Sequence, residues 1–97
     1  DRTPEDLLFQ VMLDLGVLLS SPIEVKEIAG KKVFNVAEGF LLACFDHDVT
    51  EETVKAIAQM KPYYAVFRDS SMANDSVATN FDQIFETYSP ETVRKVL

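Results

Sequence analysis

The chain has 97 residues, enough for one modest core and too few for a catalytic domain joined to a recognition domain. An apolar fraction of 47% points to a chain that folds, and no apolar run approaches the roughly 20 residues that a bilayer-crossing helix needs. The net charge of −7 argues against a face that grips a phosphate backbone, because the Lys and Arg residues are scattered and form no run longer than Lys31-Lys32.

The elements follow from patterning. Thr3 is a suitable N-cap, Pro4 fits the first helical position, and Glu5 and Asp6 complement the positive end of a helix dipole. Leu7, Leu8, Val11, Met12, Leu15, Leu18 and Leu19 then recur at helical spacing. Phe9, Leu13 and Val17 are apolar as well but fall off that stripe. A helix that is apolar nearly all round is buried on more than one side. In so small a chain the second side points outward, so Phe9, Leu13 and Val17 are the candidate partner-facing residues. Gly16 weakens the helix interior and is a candidate end, and Ser20-Ser21-Pro22 stops it.

A hairpin comes next, with Ile23 to Ile28 going out, a turn at 29–32, and Val33 to Val36 returning. Ala37-Glu38-Gly39 turns again. Phe40 to Phe45 is a continuous apolar run, the pattern of a strand buried on both faces. After the loop Asp46-His47-Asp48-Val49, Thr50 caps a second helix with Val54, Ile57 and Ala58 on its core face, and Lys61-Pro62 ends it. Tyr63 to Phe67 is another apolar strand, followed by a polar loop from Arg68 to Asp75. Val77, Phe81, Ile84, Phe85 and Tyr88 form a helical stripe, Ser89-Pro90 ends it, and 92–97 forms a last strand. The order is αβββαβαβ. The second half is a Rossmann-like βαβαβ unit, which requires parallel strands and right-handed crossovers, and the hairpin extends the sheet antiparallel at one edge. The predicted fold is α/β, in two or three layers, with a mixed, mostly parallel sheet.

In open parallel sheets, ligands bind beyond the carboxyl ends of the strands. Here Asp46, Arg68, Asp69 and Ser70 occupy those ends, so they are the candidate ligand or interface residues. They could offer carboxylate, guanidinium and hydroxyl groups to a small regulatory ligand or a divalent ion. Neighbouring residues at a strand end diverge, which separates Asp46 from His47, and no spaced metal motif is present. Solvated loop charges, a turn and a helix cap are the simpler account of the same residues. Phosphoryl transfer would want a positioned Lys after a strand, and a nucleotide site a glycine-rich turn, whereas Gly16, Gly30 and Gly39 are isolated. Cys44 lies alone in an apolar run and reads as a buried, reduced thiol of a cytoplasmic protein. No catalytic, cofactor-binding or metal-ligating residue is assigned.

Several segments resemble the C-terminal region of type III restriction-modification DNA methyltransferases. They are Asp6 to Gly16, Gly30 to Phe34, Leu42 to Asp46, Val66 to Ser70, and Asn80 to Phe85 followed by Ser89-Pro90-Glu91-Thr92. They cover nearly the whole chain in the right order. The resemblance implies a parent that methylates adenine in DNA with S-adenosylmethionine and serves a restriction subunit. The family's Asp-Pro-Pro-Tyr-type motif and glycine-containing cofactor motif lie upstream in such a parent. Lys61-Pro62-Tyr63-Tyr64 is not that motif, for it lacks the acidic residue and the second proline and leads into a strand. The chain, beginning at Asp1 with no secretory signal, thus reads as a single excised domain, 1–97, without its own cofactor. The resemblance implies self-dimerisation or docking to the restriction subunit, with DNA contacted only through other parts of the parent and no membrane involved.

Overall fold

The computed structural model describes residues 3–68 and 75–97. Helix α1, Pro4–Leu15, starts as the sequence predicts, with the Thr3 hydroxyl oxygen accepting the Asp6 amide at 3.1 Å. It ends earlier than the apolar stripe predicts, because Gly16 adopts a left-handed φ of +75°. The Gly16 amide donates to the Leu13 carbonyl at 3.2 Å and the Val17 amide to the Met12 carbonyl at 2.8 Å. These are the paired bonds of a Schellman turn.

That turn corrects the expectation for Val17. The sequence puts Val17 on the outward face of a continuing helix. The left-handed Gly16 instead folds the chain back, and Val17 packs into the same buried cluster as Met12. Leu18 and Leu19 are displaced the other way. They belong to the inward stripe only if the helix continues, and beyond Gly16 they are exposed.

The hairpin strands are β1, Ile23–Ile28, and β2, Lys31–Val36. Ala29 and Gly30 join them with φ of 51° and 79°, as in a two-residue type I′ turn, whose twist matches that of the flanking strands. There follow β3 (Leu41–Cys44), α2 (Glu51–Gln59), β4 (Tyr64–Phe67), α3 (Asp75–Tyr88) and β5 (Val93–Val96). The element order is αβββαβαβ, as the patterning predicts. The strands form one five-stranded sheet in sequence order, β1-β2-β3-β4-β5. β2 pairs antiparallel with both β1 and β3, while β3-β4 and β4-β5 are parallel. All strands but β2 therefore run in one direction.

Both crossovers step the same way along the sheet, so their right-handedness puts α2 and α3 on one face. There Val33, Leu42, Cys44, Ala65 and Phe67 pack against Val54, Ile57 and Ala58 of α2 and Val77, Phe81 and Phe85 of α3. The Phe67 and Phe81 rings meet edge-on with centroids 5.1 Å apart. On the opposite face, Leu8, Val11 and Met12 of α1 pack on Phe34, Val36, Leu41, Ala43 and Val66. The sheet is thus covered on both sides, in three layers. Every residue of β3 is buried, which is why its sequence lacks alternation. Thr50 takes the N-cap position of α2, but its hydroxyl makes no capping bond. Among the described residues no helix is long and apolar enough to cross a membrane.

Candidate functional site

The carboxyl ends of β3 and β4 are adjacent, since Cys44 pairs with Phe67. Asp46 follows β3 and is half-buried. Its Oδ2 accepts the backbone amide of Lys32 at 2.8 Å, fastening the end of β3 to the start of β2. The Lys32 Nζ lies 3.1 Å from Glu5 Oε1 on α1 and 5.0 Å from the centroid of the Phe34 ring. Asp46 is therefore engaged in holding strands together. His47 and Asp48 are exposed, and Asp48 adopts a φ of 55°. Arg68 follows β4 and is half-buried. Asp69 and Ser70 lie outside the described residues. Among the described residues, no group of three His, Cys, Asp or Glu side chains is arranged to hold a metal ion.

Cys44 is free and has no exposed surface. Burial pushes its thiol from the ordinary 9.0 up to about 11, and the nearby Asp46 charge adds to the rise, while a backbone hydrogen bond from Asp46 opposes it. A thiol held protonated in this way is a core group and a poor nucleophile.

The opposite end of the parallel strands carries a cleft of about 430 Å³ lined by Lys61, Pro62, Tyr63, Tyr88, Pro90 and Glu91, together with Ser89 and Thr92. Its hydroxyls are already used. The Thr92 hydroxyl donates to the Pro62 carbonyl at 2.6 Å, and the Ser89 hydroxyl lies 2.5 Å from it. Thr92 has a single proton, which goes to Pro62, so Ser89 is the donor to Thr92. This buried chain ties the turn after α3 to the segment entering β4. Beside it, the Phe40 and Tyr63 rings stack at 5.0 Å, with Tyr64 edge-on to both. The sequence showed Ser89 and Pro62 only as helix stops, because the contact joins residues 30 apart in the chain.

Of the apolar candidates on the first helix, two lie on the surface while Val17 is buried. Phe9 and Leu13, one helical turn apart on α1, are 43% and 60% exposed. Val25, in the middle of β1, is 56% exposed, and no described segment pairs with the outer edge of that strand. Glu24 and Lys26 flank Val25 on the other face of β1, with Nζ and Oε1 3.4 Å apart. The sequence places the hairpin at one edge of the sheet but does not say which of its strands is outermost. The signal present was the opposite charges spaced two residues apart. At the far edge, Arg94 of β5 reaches Glu86 at 3.0 Å and Asp82 at 3.6 Å on α3 and lies over the Phe85 ring.

No protein-family model matches the chain, and no curated protein matches it.

Proposed function

We propose that the chain is a non-catalytic accessory domain of a type III restriction-modification adenine-specific DNA methyltransferase, and that it mediates subunit association. The ordered likeness of its segments to that family supports the parentage. The observation that carries association is the outer face of α1. Its inner face is complete, with Leu8, Val11 and Met12 buried, yet Phe9 and Leu13 project an apolar stripe away from the core. Large apolar side chains grouped on an exposed helix face mark a protein-binding surface. The acidic balance of the chain leaves DNA contact to other parts of the parent, and by the resemblance S-adenosylmethionine chemistry goes with the motifs that lie there. The partner is a second copy or the restriction subunit.

Sedimentation of the purified chain, alone and with a purified type III restriction subunit, tests this reading. Association in either mixture supports it, and Leu13→Glu should weaken whichever contact the α1 face makes without loss of thermal stability. A chain that stays monomeric at high concentration and binds no restriction subunit overturns it.

A further inference from the structure

The outer edge of β1 pairs with no described segment. A strand edge exposes a row of backbone donors and acceptors, and proteins ordinarily blunt it with charges that oppose pairing. The charges of β1 do the reverse in one register. Consider two copies related by a two-fold axis normal to the sheet, with their β1 strands antiparallel. Such an axis keeps the α1 layers on the same side, so a residue can face only residues of its own parity. Centring on Val25 sets Glu24 opposite Lys26 of the second copy, and Lys26 opposite its Glu24. It also sets Val25 against Val25 on the α1 face and Ile23 against Glu27.

The neighbouring registers fail on charge. Centring on Lys26 opposes two lysines, and centring on Glu24 or Glu27 opposes two glutamates. The half-step register about Val25 and Lys26 opposes Glu24 to Glu27 and inverts the helix layers between copies. Like charges directly opposite across strands are destabilising, and opposite charges stabilise. β5 offers no equivalent. Arg94 and Lys95 are adjacent, so each central self-pairing register sets cation against cation, and Arg94 is already anchored to α3.

We infer that the chain forms a two-fold dimer by antiparallel β1–β1 pairing centred on Val25, joining two five-stranded sheets into one continuous ten-stranded sheet. The occupant of this edge is a second copy of the chain, chosen by the reciprocal Glu24–Lys26 pairs. The inference rests on the reading of the chain as an association domain, and it assigns the second copy to the β1 edge and leaves the α1 face to the restriction subunit. A strand-to-strand contact of this length is small, so the dimer is weak and concentration-dependent.

Charge exchange at the two positions gives the test. Glu24→Lys alone sets lysine against lysine in a homodimer, and Lys26→Glu alone sets glutamate against glutamate. Each variant should raise the dissociation constant by about tenfold in sedimentation equilibrium. Both lose the 3.4 Å bridge within the chain equally, so thermal melts of the separate monomers control for folding. Mixing the two variants restores both interchain pairs, and a heterodimer at least as tight as the wild-type dimer is expected. Failure of the mixture to associate overturns the proposal. So does wild-type-like dimerisation of the single variants, or an open polymer in place of a closed dimer. If Leu13→Glu abolishes association while the charge variants behave as wild type, the interface is the α1 face. The association reading then stands and the β1 pairing falls.

Discussion

At the residue scale, Cys44 shows how burial sets chemistry. It ends β3 with no exposed surface, and its thiol is raised from 9.0 to about 11, first by desolvation. The unfolded chain therefore gives up its thiol proton before the folded chain does. The stability contributed by this difference is complete below pH 9 and is lost as pH rises from 9 towards 11. The urea midpoint of the wild-type chain should fall more steeply across that window than that of Cys44→Ala, whose side chain does not titrate. Equal slopes would show that the thiol does not contribute. Asp46 belongs to the same scale. Its position after a parallel strand was legible and suggested a ligand site. Its bond to the Lys32 amide was not, because that contact joins residues 14 apart in the chain.

At the scale of elements, the apolar periodicity of α1 was legible, but its end depends on one backbone angle. Gly16 holds a φ of +75°, and a Cβ added there would meet no atom within 4 Å. The cost of a side chain at this position is therefore conformational, without a clash. Gly16→Ala should destabilise the chain by about 1 kcal/mol, and Gly16→Asn by less, since Asn tolerates the left-handed region better. Chemical denaturation of the two variants checks the ranking. A neutral Gly16→Ala would mean that the Schellman turn does not hold Val17 in the core. The same turn explains why Phe9 and Leu13 of the expected outward stripe are exposed while Val17 is buried. Phe9 and Leu13 precede the reversal, and Val17 follows it.

At the scale of the whole molecule, the two crossovers are clasped at the strand starts by the chain Ser89, Thr92 and the Pro62 carbonyl. Thr92→Val preserves shape but leaves the Pro62 carbonyl and the Ser89 hydroxyl without their partner. A loss of about 1–3 kcal/mol is expected for such buried groups. Calorimetry of Thr92→Val measures it, and an unchanged melting temperature would show that the clasp is dispensable. The sequence by itself determined the identity and order of the elements, the α/β class, and the burial of β3 on both faces. These rest on local periodicity, turn residues and caps, which act over a few positions. Only the tertiary structure decided that the fold has three layers, that β1 is the open edge of the sheet, and that Asp46 and Thr92 are fasteners. It also decided which apolar residues of the first helix reach solvent. The physical reason is that exposure and hydrogen-bond partnership are set by which distant segments lie alongside, and no spacing along the chain encodes that adjacency directly.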